Sequence, residues 1–125
     1  MKGMRTTGIN ILGRRWRIEE RKESEDDRLQ GSSGYTDWTT RLIVINADID
    51  GDLGDLEAFR RKVLRHEIVH AYLLECGLHE CSNTGIPWAD NEEMVDWIAH
   101  KGQQIYTTWL EAGAIDDMLC EKVAE

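Results

Sequence analysis

The spacing of apolar residues changes once along the chain, near residue 53. Before that point Ile9 and Ile11 alternate with polar neighbours, and Trp16 and Ile18 alternate with Arg15, Arg17 and Glu19. A period of two predicts strands over residues 8–21, with Leu12-Gly13-Arg14 as a turn or bulge between them. Glu23–Gly34 is polar except for Leu29 and closes on Gly31-Ser32-Ser33-Gly34, the composition of a surface loop. Tyr35–Trp38 and Arg41–Asn46 make two further extended segments. The second contains an unbroken run, Leu42-Ile43-Val44-Ile45, and is expected to be the best-buried part of the sheet.

From about Leu53 to Cys76 the pattern is helical. Leu56, Phe59, Val63, Ile68 and Tyr72 recur at helical spacing, and Gly77 is a natural stop. A second helix is expected from Asp90, where Asp90-Asn91-Glu92-Glu93 reads as an Asp-x-x-Glu capping box, to about Ala112. A short third helix is expected over Ile115–Val123. The outline is an α+β single domain over residues 1–125: a small antiparallel sheet of about three or four strands, followed by two principal helices.

Composition narrows the function classes. The chain is 41% hydrophobic and 31% charged, an ordinary balance for a soluble globule, and 24 acidic against 15 basic residues leave it at −9. Such a charge argues against a nucleic-acid partner, whose binding starts with cationic neutralisation of phosphates. Basic side chains do gather in residues 1–22 (Lys2, Arg5, Arg14, Arg15, Arg17, Arg21, Lys22), where a solvated face of a strand pair is the simplest account. No stretch approaches the roughly 20 apolar residues of a membrane helix. Three cysteines, Cys76, Cys81 and Cys120, do not make a disulfide framework, so a cytoplasmic setting is expected.

The chemistry concentrates in Arg65-His66-Glu67-Ile68-Val69-His70-Ala71. Two histidines four residues apart lie on one helix face, about 6 Å apart along the axis, where both imidazoles can grip one Zn2+ with Glu67 beside the water that completes its shell. With 4 histidines in the chain, composition alone produces this pattern in roughly one case in a hundred. A third ligand is required, and two schemes compete. In one it comes from the second helix, where Asn91-Glu92-Glu93-Met94-Val95-Asp96 puts Glu92 and Asp96 on one face. The other resembles the metzincin pattern His-Glu-x-x-His-x-x-Gly-x-x-His, with Cys76 where its third histidine would be; Leu73 stands where its glycine turns the chain, which favours Glu92 and leaves Cys76 as a helix-end core residue. Glu93 is the spare carboxylate, with the capping box as its main task.

The pair of motifs, His66-Glu67-x-x-His70 and Asn91-Glu92-x-x-x-Asp96, resembles the zincin metallopeptidases of the thermolysin-like gluzincin type. More broadly, residues 8–106 look like small zincin-like proteins of phage and prophage genomes, relatives of the ImmA/IrrE-like metallopeptidases. The resemblance implies His66, His70 and Glu92 as zinc ligands, Glu67 as the catalytic base and Asp96 as the carboxylate orienting His66. It also implies a peptide or protein substrate lying extended along a sheet edge in the Tyr35–Asn46 region. The expected function is that of a zinc metallopeptidase, hydrolysing a peptide bond through a zinc-bound water activated by Glu67. The alternative is a zinc-binding but catalytically silent interaction or regulatory protein.

Other candidates are weaker. Asp48-x-Asp50-x-Asp52 suggests a calcium loop, but Leu53 and Phe59 stand where that template needs glycine and glutamate. His79 and Cys81 lack the paired spacing of a structural zinc site. His100 is two turns beyond Glu92, too far to share its ion. Trp88, Trp97 and Trp109 read as core first and pocket wall second. Tyr72 or an arginine is the open choice for a donor to the substrate carbonyl.

Overall fold

The computed structural model describes residues 6–49, 54–79 and 85–116. Strands β1 (Thr6–Ile11) and β2 (Arg14–Arg21) form a hairpin. Its two-residue loop, Leu12-Gly13, has φ of 51° and 86°, the left-handed pair that matches strand twist in tight hairpins. The Asn10 side chain accepts from the Gly13 N–H at 2.9 Å and holds that geometry.

Strands β3 (Gly34–Asp37) and β4 (Leu42–Asn46) form a second hairpin, and the sheet order is β1-β2-β4-β3. The α+β class is as expected, but the sheet is mixed rather than wholly antiparallel, because β4 runs parallel to β2. The cause lies in residues 22–33. This connection carries the chain past the position beside β2, so β3 becomes the outer edge and β4 returns into the gap. Two 3-10 turns, Glu23–Glu25 and Asp27–Leu29, shape the connection. Its single apolar side chain, Leu29, is fully buried against Leu42 and Val44 and anchors to the sheet a connection that is otherwise exposed or half-buried, the surface loop expected. All five residues of β4 are buried, as the apolar run requires.

Register sorts the two faces. Trp16, Ile18, Ile43 and Ile45 face one way and pack with Val63, Ile68 and Ala71. Glu19, paired in register with Val44, faces the other way. It is 5% exposed and is neutralised by Arg17 at 2.8 Å and Arg21 at 2.7 Å. Two of the basic side chains near the N-terminus are therefore engaged within the chain itself.

Helix α1 (Leu56–Glu75) starts at an Asp55 cap whose side chain accepts from the Ala58 N–H at 3.0 Å. It ends where Gly77, at φ 81°, lets the N–H groups of Gly77 and Leu78 reach the carbonyls of Leu74 and Leu73, both at 3.0 Å. Helix α2 (Glu92–Glu111) is capped by Asn91, which accepts from the Met94 N–H at 3.0 Å. The expected Asp90–Glu93 capping box does not form: Asp90 closes a 3-10 turn, Trp88–Asp90, and Glu93 is exposed. Asn and Asp are nearly equal caps, and the chain offers both in succession. Most of the expected third helix, residues 117–123, lies outside the described residues.

The tryptophan expectation is corrected. Trp88, Trp97 and Trp109 are 47%, 56% and 52% exposed, whereas Trp16 is 1% exposed and is the core indole. Its Nε1 donates to Glu75 at 2.8 Å, which gives the buried N–H its acceptor. Among the described residues, no helix is long and apolar enough to cross a membrane.

Candidate metal centre

Helices α1 and α2 pack antiparallel. Their contacts run from His70 with Glu92, through His66 and Lys62 with Asp96, to Arg65, whose Nε donates to the Ala99 carbonyl at 2.7 Å. Helical periodicity places His66 and His70 on the face of α1 turned to α2, one turn apart, with ring centroids 4.9 Å from each other. Glu92 enters from the first turn of α2. Its Oε1 lies 2.9 Å from His66 Nε2 and 3.0 Å from His70 Nε2. Ligand atoms of the three residues all fall within 4.8 Å of one another.

The hydrogen bonds on the far side of each ring give this convergence its chemical meaning. His70 Nδ1 lies 2.6 Å from the Ala89 carbonyl, an obligate acceptor, so Nδ1 carries the proton. His66 Nδ1 lies 3.3 Å from the Asp96 carboxylate, an acceptor that favours the same tautomer when a cation takes the Nε2 side. In the neutral imidazoles both Nε2 atoms then present lone pairs to one carboxylate oxygen, itself an acceptor. Electron-pair donors that face one another in this way are suited to sharing a cation, whether ring protons or a single metal ion. Two imidazoles and a carboxylate, each ring fixed from behind, are the donor set that suits zinc.

Glu67 lies next in the chain but points differently. It is 6% exposed, and the Thr36 hydroxyl donates to its Oε1 at 2.6 Å. Thr36 lies on β3, in register with Ile43 and so on the sheet face that α1 covers. Burial pushes the Glu67 carboxyl above its ordinary range, against the opposing pull of Thr36 and of the neighbouring His70 and His66. Asp96 goes the other way: a hydrogen bond from Lys62, whose ammonium is 3.2 Å away, holds its carboxyl low.

The site opens on two cavities, of about 340 Å³ and 360 Å³, that share Ser32, Gly34, Glu67 and Glu92 in their walls. Gly34 lines both cavities. A Cβ there would sit 2.8 Å from the Val44 carbonyl oxygen and 3.3 Å from Val63 Cγ1, so β3 lies this close to β4 and α1 only because the side chain is missing.

The structure thus brings together His66, His70 and Glu92, sets Asp96 behind His66, and places Glu67 beside them. It leaves the competing residues apart. Helix α1 continues through Leu73 without a turn, and Cys76 is its exposed C-cap, neither a ligand nor the core residue expected. His79 Nε2 faces Asp90 at 3.5 Å, while Cys81 and Cys120 lie outside the described residues. His100 is exposed. Tyr72 is 43% exposed and lines neither cavity. Of the calcium-like loop, Asp48 accepts from the Glu23 N–H at 2.7 Å, and residues 50–53 lie outside the description. Sequence reasoning missed Thr36, the Ala89 carbonyl and Lys62. Only Lys62 carried a signal, since it precedes His66 by one helical turn. Comparison with protein-family models, with curated proteins and with solved structures gives no match.

Proposed function

We propose that the chain is a minimal zinc-dependent metallopeptidase. The observation that carries this reading is the convergence of two imidazole Nε2 atoms on one oxygen of Glu92, each ring held by an acceptor at Nδ1. Zinc held by His66, His70 and Glu92 would act as a Lewis acid and lower the pKa of water toward neutrality. Glu67 accepts the proton of the attacking water and returns it to the leaving amine. Thr36 keeps the Glu67 carboxyl in place during both transfers. Asp96 and the Ala89 carbonyl fix the tautomers of the two histidines. The substrate is a peptide or protein segment that adds as a strand to the exposed edge of β3; β4 is internal and has no free edge.

A metal-binding protein without turnover is the second reading. The burial of Glu67, 6% exposed, favours it, because a general base must be reached by the water it activates. One experiment separates the two. Purified wild type should contain about one zinc per chain, and His66→Ala should contain none. Wild type should cleave members of a peptide library, and Glu67→Gln should bind zinc yet cleave nothing. Zinc binding without cleavage by wild type would leave the silent role; a zinc-free wild type that takes up none would remove both.

A further inference from the structure

The hydrogen-bonding groups on the open edge of β3 are not equally available. In an antiparallel pair, residues that bond to the neighbouring strand alternate with residues whose N–H and C=O point away from it. The Asn46 N–H donates to the Ser33 carbonyl at 2.9 Å. In the register of β3 with β4, this makes Tyr35 and Asp37 the residues that bond to Val44 and Leu42. Gly34 and Thr36 therefore turn their main-chain groups outward, along the free edge of the sheet. Gly34 lines both cavities of the site and Thr36 lines the second.

At Gly34 the edge is already taken. The Ser32 hydroxyl donates to the Gly34 carbonyl at 2.7 Å and accepts from the Gly34 N–H at 3.3 Å, so one side chain occupies both outward groups. Ser32 is itself firmly mounted. Its N–H donates to the Leu29 carbonyl at 3.0 Å, and its carbonyl accepts from the side-chain amide of buried Asn46 at 2.9 Å. With the main chain held at both groups, only rotation of the Ser32 side chain releases Gly34. Thr36 is different. Its hydroxyl turns inward and donates to Glu67 Oε1 at 2.6 Å, while its main-chain N–H and C=O have no partner among the described residues. One free donor and one free acceptor thus stand beside Glu67, and the next outward position along the strand, about 6–7 Å away, is closed.

Taking the site as a peptidase centre, we propose that Ser32 sets how much of a peptide the β3 edge holds. Its hydroxyl stands in for a bound strand at Gly34, so the substrate's main chain pairs with Thr36 alone and leaves the edge before it reaches Gly34. Pairing at Thr36 brings one residue of the substrate beside Glu67 and the metal ligands, which is all that positioning for cleavage requires. The substrate class is then a segment extended over only one or two residues on that side, such as an exposed loop or a chain end.

Amide hydrogen exchange resolved by NMR, together with binding titrations on the zinc-loaded full chain, tests this. The probes are alanine peptides of increasing length that carry a metal-binding hydroxamate, at the C-terminus in one series and at the N-terminus in the other. In free wild type the Gly34 amide should exchange more slowly than the Thr36 amide. The probes should protect Thr36, and lengthening them toward Gly34 should bring no gain in affinity. Ser32→Ala should expose the Gly34 amide and let the longer probes of one series bind about three- to tenfold more tightly, the worth of one or two added main-chain hydrogen bonds. Ser32→Thr keeps a hydroxyl and should restore the wild-type limit. A Ser32→Ala chain that weakens every probe equally would show that the hydroxyl only braces the loop, and would overturn the proposal. So would a Thr36 amide that is protected in the free chain or left unprotected by every probe. Zinc content separates the two failures: a chain that binds zinc but fails these tests loses the role of Ser32 alone, whereas one that takes up no zinc loses the peptidase reading with it.

Discussion

Gly34→Ala should destabilise the protein although it adds one methyl group to a strand. The new Cβ would stand 2.8 Å from the Val44 carbonyl oxygen, 3.3 Å from Val63 Cγ1 and 3.4 Å from Ile45 Cδ1. The two side-chain contacts are tight but can yield by tenths of an ångström. The carbonyl oxygen cannot: it belongs to the central strand β4, and moving it disturbs the pairing of β3 with β4. Overpacking of this kind costs about 1–3 kcal/mol. Against it stands a gain of about 0.4–1 kcal/mol from the reduced freedom of the unfolded chain. The net loss is on the order of 1–2 kcal/mol, enough to lower a urea midpoint by about 0.5–1 M at the slope usual for a chain this size. Gly102→Ala supplies the control. There the added Cβ meets nothing within 4 Å, and helix propensity predicts a gain of about 1 kcal/mol. The same chemical change should thus have opposite signs at the two positions. Equilibrium urea unfolding followed by tryptophan fluorescence measures both. An unchanged or raised midpoint for Gly34→Ala would refute the close approach of β3 to β4 and α1.

Asp96→Asn should lower zinc affinity by about 10- to 100-fold without unfolding the chain, because it removes the carboxylate behind His66 and leaves the three ligands intact; competition with a chromophoric chelator measures this. Thr36→Val should leave zinc content unchanged and reduce kcat, since it frees the Glu67 carboxyl from its one described side-chain partner on β3; equal loss of metal would contradict the separation of roles. Asp26 accepts from Arg21 at 2.7 Å and from the Tyr35 hydroxyl, and these bonds hold its carboxyl below 3.8 despite burial. A depressed carboxylate stabilises the fold above its unfolded pKa and loses that contribution as pH falls through the folded value. Wild type should therefore exceed Asp26→Asn in stability by a constant margin above about pH 5, and the margin should shrink as pH drops below 3.8. In the same cluster, burial and Asp26 push the Tyr35 phenol up to about 12, so its contribution is complete below pH 10 and is lost between pH 10 and 12. Urea titrations at stepped pH follow both ends.

The parts of the structure that depend on short-range order are legible in the sequence. His66, Glu67 and His70 on one helix, and Glu92 with Asp96 on the next, follow from a 3.6-residue period and need no tertiary information. The glycine stops at Gly77 and Gly113 are equally local. Long-range choices are not encoded in this way. Nothing in a polar run such as 22–33 says whether it joins neighbouring strands or steps across one, and Leu29 is too isolated to announce that it is buried. The partnership of Thr36 with Glu67 spans 31 residues and depends on β3 taking the edge beside α1. Trp109 belongs to a helical stripe that begins in the core and ends in solvent, and the pattern of residues is the same on both sides of that boundary.

The acceptor behind His70 is a main-chain oxygen, the carbonyl of Ala89, and the short turn that presents it leads straight into the helix bearing Glu92. One rigid corner thus sets both the aim of a ring on the first helix and the reach of a carboxylate on the second. Mutation of the side chain at 89 cannot delete that oxygen, so inheritance can alter the site there only by moving the whole corner, and then both donors move together.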